Sequence, residues 1–159
     1  MDKVIISKLR KDDISQAAKL IIPLYNTMLE NRKDIFIPKE ENWEEYINNR
    51  INNENFVLLA AYVDSNIVGV CTCEIKHCGD GVETYTRDIL FIDYIAVNEK
   101  YRRLKIGTKL LNETKRIAKE NNISTVELNV WGFNESAINF YDNNDMKVKR
   151  IVYEYLIDR

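Results

Sequence analysis

Two groups of residues near the middle of the chain are spaced to do chemistry. The first is Asp93, set in the run Phe91-Ile92-Asp93-Tyr94-Ile95-Ala96-Val97. Alternation places Ile89, Phe91, Ile95 and Val97 on one side of a strand with Asp93 among them, so a carboxylate is set into half of a sheet core. Burial of that kind raises a carboxyl pKa towards values useful for proton transfer, although a hydrogen-bonded structural Asp or one facing solvent satisfies the same pattern. The second group is Tyr101-Arg102-Arg103-Leu104-Lys105-Ile106-Gly107, reached through the turn Asn98-Glu99-Lys100. Apolar residues recur at helical spacing from Ile106 through Leu110, Leu111, Thr114, Ile117 and Ala118, which puts the basic cluster at a helix N-terminus. Unpaired N–H groups and the positive end of the dipole favour an anion there, and Gly107 lets a bulky ligand approach the backbone. A phosphate fits; an ordinary solvated helix start is the plainer alternative.

The elements that must hold these groups follow from periodicity. Val4–Leu9 reads as a first strand, and Asp12-Asp13 as the start of a helix, with Asp13 and Gln16 spaced for a capping box. Pro23 is expected to kink or end that helix. Trp43, Tyr46, Ile47, Arg50 and Ile51 suggest a second, short helix. Phe56–Val63 and Ile67–Lys76 are apolar runs joined by Asp64-Ser65-Asn66, a hairpin signal, and Cys78-Gly79-Asp80-Gly81 marks a turn before a strand over 84–97. After the helix that starts near Ile106, Asn121-Asn122 stops it and Thr125–Val130 forms a strand. Strand, helix, strand at this spacing is a right-handed parallel unit with its phosphate-binding turn at the carboxyl end of the first strand. Asn134 is a candidate N-cap for a helix carrying Ala137, Ile138, Phe140 and Tyr141. Lys147–Ile157 reads as a closing strand.

The run RRLKIG followed by TKLL resembles the acetyl-CoA pyrophosphate motif of the GNAT superfamily of N-acetyltransferases, Gln/Arg-x-x-Gly-x-Gly/Ala. Arg102 fills the first position and Gly107 the last, while Lys105 replaces the middle glycine. NESAINFYDNNDMKV is similar to the family segment Asn-x-x-Ala-x-x-Phe-Tyr-x-x-x-Gly-Phe, with Asn134, Ala137, Phe140 and Tyr141 in register. Asp145 and Met146 replace Gly-Phe; Asp tolerates a left-handed backbone, so the turn survives. The resemblance implies a layered α/β fold: a mixed, mostly antiparallel central sheet with helices on both faces and a parallel, splayed strand pair at the cofactor cleft.

It also implies roles. Backbone N–H groups across Arg103, Leu104, Lys105, Ile106, Gly107 and Thr108 hold the pyrophosphate of acetyl-CoA, with charge from Arg102 and Lys105, while Ile95, Ala96 and Val97 line the pantetheine and Asn134 bonds its arm or nearby backbone. Tyr141 matches the general acid that protonates the departing sulfur, with aromatic packing as its structural alternative. Asp93 matches a position where relatives carry a carboxylate that draws the amine proton. An alkylammonium of pKa near ~10.4 is no nucleophile until it loses that proton.

Composition agrees with one catalytic domain over residues 1–159. A chain of 159 residues with 45% hydrophobic content can bury one substantial core. Its net charge of −2 argues against nucleic acid as the main partner. No apolar run spans a membrane and no secretory signal opens the chain, so the cytoplasm is expected. Three cysteines make no disulfide framework, and the spacing of Cys71, Cys73, His77 and Cys78 matches no standard chelating hooks, so no metal is expected. The acceptor is expected to be a small-molecule or peptide amine, a cationic one suiting the acidic balance of 30–45. Tyr25, Phe36 and Trp43 either line its pocket or pack the cover. Acetylation of a protein N-terminus or lysine, and a non-catalytic module that senses acetyl-CoA, are the alternatives. Dimers are common in such folds, with the closing strand as the candidate interface.

Overall fold

The computed structural model describes residues 3–38 and 42–157, and the chain forms two compact units, Met1–Asn129 and Val130–Arg159. Lys39, Glu40 and Glu41, part of the acidic stretch, lie outside the described residues.

The first unit is built on a five-stranded sheet: β1 (Ile5–Lys8), β2 (Phe56–Val63), β3 (Asn66–Cys78), β4 (Arg87–Val97) and β5 (Val126–Leu128), side by side in that order. All neighbours are antiparallel except β4 and β5, which run parallel. The β2–β3 hairpin turns on Asp64 and Ser65, at φ 48° and 69°. Two positive φ angles match the right-handed twist of the flanking strands, and the short polar side chain of Asp tolerates them.

Helices cover both faces. On one, α1 (Ile14–Asn31) and α2 (Trp43–Ile51) bury Ile14, Ala17, Ala18, Ile21, Tyr25, Trp43 and Ile47 against Leu58, Ala60, Tyr62, Val70 and Ala96. On the other, α3 (Ile106–Glu120) buries Ile106, Leu110, Leu111, Thr114 and Ala118, the stripe that its spacing predicts. Gly69 on β3 is what lets α3 lie so close: a Cβ there would stand 2.9 Å from Ile106 Cγ2 and 3.2 Å from Leu110 Cδ1. Cys71 and Cys73 face this side, fully buried, with their sulfurs 3.6 Å apart and Cys71 Sγ 3.6 Å from Thr114 Oγ1. They sit as small core thiols, and among the described residues no group of three or more metal-ligating side chains gathers.

Three local expectations are corrected. Helix α1 does not end at Pro23, because the buried stripe either side of it outweighs the one backbone bond a proline forfeits. Asp13 makes no side-chain cap; it is buried, and its Oδ2 accepts from Arg10 Nε at 2.6 Å and Tyr62 OH at 2.9 Å. Residues 147–157 form no strand, and Val148, Ile151, Val152, Tyr153 and Tyr155 stand exposed. Strand propensity supplies no hydrogen-bonding edge by itself.

In the second unit, Asn134 caps α4 (Glu135–Asp142) by accepting from Ala137 N–H at 3.1 Å. The helix closes as the family turn requires: Asp145 takes φ 62°, and Met146 N–H reaches back to the Tyr141 carbonyl at 3.1 Å. No helix among the described residues is long and apolar enough to cross a membrane.

Candidate active site

Asp93 owes its position to a β-bulge. Thr72 on β3 pairs with Tyr94 and Cys73 with Ile92, so Asp93 is the extra residue between them. A bulge leaves one residue unpaired and re-aims its side chain. It also corrects the alternation read from sequence. Ile89 and Phe91 face the α1–α2 side, as Asp93 does; after the extra residue Tyr94 and Ala96 take that side, whereas Ile95 and Val97, paired with Cys71 and Gly69, turn towards α3.

On the α2 side the carboxylate is half-buried. Tyr46 OH lies 3.4 Å from Asp93 Oδ2 and 3.3 Å from Thr72 Oγ1. Burial is the main cause raising the Asp93 pKa; Lys76 opposes it, Glu74 adds to it, and Arg50 and the Tyr46 hydrogen bond oppose it more weakly. Burial likewise pushes the Tyr46 and Tyr94 phenols up. A carboxylate with a raised pKa, still partly open to solvent, is suited to accept a proton near neutral pH. Tyr46 and Thr72 were not among the residues marked by sequence; the spacing of Tyr46 three residues after Trp43 and four before Arg50, on one face of α2, is the signal that points to it.

Of the aromatic residues expected at an acceptor pocket, Tyr25 and Trp43 are in the core, 7% and 6% exposed. Tyr25 OH donates to the Ile37 carbonyl at 2.8 Å, and rings run edge to face from Phe36 through Tyr25 and Trp43 to Tyr46 and Tyr94. Tyr46 and Tyr94, edge to face with each other at 5.7 Å, stand on the same side of the sheet as Asp93.

The anion cradle follows directly on β4. A 3-10 turn over Glu99–Leu104 hands the chain to Lys105, which adopts a left-handed backbone at φ 53°, ψ 32°, and α3 begins at Ile106. A right-handed residue followed by a left-handed one turns successive N–H groups into a concavity that binds anions. The first bond of α3 in this turn runs from Lys109 N–H to the Lys105 carbonyl at 3.0 Å, so the N–H groups of Ile106, Gly107 and Thr108 have no intrahelical partner. No acidic residue occupies the first turn. Lys105 thus adopts the left-handed conformation that glycine would ease, and the turn forms with the lysine in place. The side chains of Arg102, Leu104 and Lys105 are exposed, and Arg102 Nη2 pairs with Glu99 at 3.2 Å. The side chain of Arg103 lies outside the described residues. Ile106, wholly buried against Gly69, fixes the cradle to the sheet.

Beside the cradle the parallel strands part. Pairing of β4 with β5 ends at Ile92–Leu128, whereas β4 continues to Val97. Among the described residues, Ile95, Ala96 and Val97 therefore keep one backbone edge without a strand partner. In the second unit, Tyr141 lies on α4, its ring edge to face with Phe140 at 5.1 Å, and Trp131 stacks on Phe133 at 6.1 Å. The helix therefore brings Asn134 to its first turn and Tyr141 to its last.

Comparison with known proteins agrees with this geometry. The chain is 35% identical over 82 residues to N-alpha-acetyltransferase 50 of Danio rerio, covering 51% of this chain and 45% of that protein. It thus spans about half the length of the curated relative it matches. Among solved structures, a mutant BH1408 protein of Bacillus halodurans superposes with TM-score 0.89 at 21% identity, over 96% of this chain and 99% of the other. An aminoglycoside antibiotic 6'-N-acetyltransferase from Acinetobacter baumannii superposes with TM-score 0.75 at 16% identity, over 99% of both chains. Residues 23–145 match the pattern of the acetyltransferase (GNAT) family, and with the mixed sheet and the cradle at the start of α3 in place, the chain belongs to that family.

Proposed function

We propose that the chain transfers the acetyl group of acetyl-CoA to a primary amine of a small molecule or peptide, by direct attack with both substrates bound. The observation that carries this reading is the turn itself: a left-handed Lys105 followed by the N–H groups of Ile106, Gly107 and Thr108, which have no partner within α3, at the end of β4 beyond its pairing with β5. Pyrophosphate is the ligand such a concavity suits. The free edge of Ile95–Val97 suits an extended pantetheine, and an N–H on it would polarise the thioester carbonyl. The family resemblance gives Asn134 a hydrogen bond to that arm or to nearby backbone.

Chemistry needs three proton movements. Asp93 takes one proton of the incoming ammonium; the amine nitrogen then forms a bond to the acetyl carbon as the carbon–sulfur bond breaks; Tyr141 gives its phenolic proton to the departing thiolate, and the second proton that the nitrogen sheds on becoming an amide restores the phenol. A phenol of pKa near ~10 is matched to a thiolate leaving group. Likeness to an N-alpha-acetyltransferase supports a peptide α-amine, and likeness in fold to an aminoglycoside acetyltransferase supports a cationic small molecule. The half-buried carboxylate of Asp93 among the rings of Tyr46 and Tyr94 suits either one.

The test is release of free coenzyme A thiol from acetyl-CoA against polyamines, aminoglycosides, amino acids and short peptides. Amine-dependent release that falls by about two orders of magnitude in Tyr141→Phe, with acetyl-CoA affinity kept, is the expected result. Binding of acetyl-CoA with no release from any amine would support the sensing module instead.

A further inference from the structure

Tyr46 lies 47 residues before Asp93 in sequence and touches it through the fold. Its ring is held from several sides. The Arg50 guanidinium lies 3.7 Å over it and also 5.0 Å from the Phe56 centroid, while Arg50 Nη1 donates to the Tyr46 carbonyl at 2.9 Å. Trp43 and Tyr94 meet it edge to face at 5.5 and 5.7 Å. Arg50 Nε is buried with no hydrogen-bond partner among the described residues. A donor left unsatisfied is costly, and the stacking geometry is kept all the same. So fixed, the phenol donates to the Asp93 carboxylate at 3.4 Å and lies 3.3 Å from the fully buried Thr72 hydroxyl, where either oxygen can supply the proton.

We propose that Tyr46 is a positioning residue for the base: its hydroxyl is shared between Thr72 and Asp93, and the share given to Asp93 sets the pH at which that carboxylate takes up the acceptor's proton. The inference rests on the reading of Asp93 as the base. A hydrogen bond to the charged form of a carboxylate favours that form, so removing it raises the pKa, and giving Asp93 the whole of it lowers the pKa. The other groups that face Asp93 are Glu74 and Lys76 of β3, Arg50 of α2 and Tyr94 of β4, while the Cys73 thiol feels its charge from the opposite face of the sheet. None of them is altered by the substitutions that test the idea.

The experiment is a carbon-13 carboxyl titration of the protein by NMR, with the Asp93 signal assigned by its loss in Asp93→Asn. It needs no acceptor. Tyr46→Phe is expected to move the Asp93 midpoint up by about half a unit to one unit. Thr72→Val frees the phenol to donate to Asp93 alone and is expected to move it down by about the same amount. Thr72→Ser, which keeps the hydroxyl, should stay at the wild-type midpoint and separates the hydroxyl from its methyl. Opposite shifts support the proposal, because loosened packing alone would not move the midpoint in two directions. Two variants that titrate as wild type, or that both move the same way, overturn it. Amine turnover that survives Asp93→Asn with its acid limb intact would instead overturn the reading of Asp93 as base, a different result from a different assay.

Discussion

Replacing Lys105 separates what the backbone of the cradle does from what its charge does. An L-residue in the left-handed region costs about 1–2 kcal/mol. Lys105 sits there at φ 53° with its side chain exposed. Glycine removes that cost, and its greater freedom in the unfolded chain returns about 0.4–1 kcal/mol of it. Lys105→Gly should therefore stabilise the fold by roughly 0.5–1 kcal/mol, a rise in Tm of about 1–4 °C for a chain of this size. Binding should respond differently. If the N–H groups hold the pyrophosphate, Lys105→Gly keeps them and loses only one exposed charge contact, worth about 0.2–1 kcal/mol, so the Kd for coenzyme A rises about fivefold at most. That small loss should vanish at high salt, where exposed charges are screened. Lys105→Val is the contrasting change. A β-branched residue is a poor occupant of this region, so the turn opens, the N–H groups diverge, and affinity falls by about tenfold or more, on the order of 1.4 kcal/mol. Calorimetry with coenzyme A at two salt concentrations, together with thermal melts of all three proteins, gives both quantities. A folded Lys105→Gly protein that no longer binds would show that the side chain holds the phosphate. Wild-type binding by Lys105→Val would show that the concavity does not.

Three further outcomes follow from the packing and the charges. Gly69→Ala places a methyl 2.9 Å from Ile106 Cγ2, and because a β-branched methyl on a helix has little room to turn away, the cost should be about 1–3 kcal/mol by urea unfolding, with coenzyme A affinity reduced as the start of α3 shifts. Asp93 has a raised pKa in the folded protein, so its ionisation costs stability that sets in as pH rises through the ordinary carboxyl value near ~3.9 and is complete above the raised value; Asp93→Asn should raise Tm at neutral pH, lower turnover, and lose its stability advantage as pH falls below about 4. Asp13→Ala leaves the buried Tyr62 hydroxyl without its 2.9 Å acceptor and should cost about 1–3 kcal/mol in the same urea assay.

Periodicity makes the helices and the hairpin legible because it reflects which face is buried. The stripe Ile106, Leu110, Leu111, Thr114 and Ala118 faces the sheet as its spacing requires, and Asn134 caps α4 with the local hydrogen bond its side chain can make. Features decided by distant partners are not legible in this way. Asp13 and Gln16 have capping-box spacing, yet the carboxylate goes to a tyrosine 49 residues away. Residues 147–157 are rich in strand formers and form no strand, because a ladder needs an edge as well as a propensity.

The candidate site depends on two backbone irregularities, and their effects on a side-chain pattern are opposite. The bulge at Asp93 leaves the alternating pattern of β4 looking unbroken, since Tyr94 is amphipathic and is acceptable on either face. One extra residue therefore reverses Ile95 and Val97 without any change in composition that would betray it, and brings Asp93 and Tyr94 to the same side, where Tyr46 can reach the carboxylate. At Lys105 the sequence looks broken while the backbone is intact. A lysine replaces a glycine, but the left-handed turn that the glycine would have eased forms all the same, held on one side by the 3-10 turn and on the other by Ile106 buried against Gly69. A motif of this kind describes a backbone shape through the residues that usually permit it. Its physical requirement is a turn that can aim N–H groups at the start of α3, and the left-handed backbone of that turn forms here with a lysine in place, at the expense of local strain.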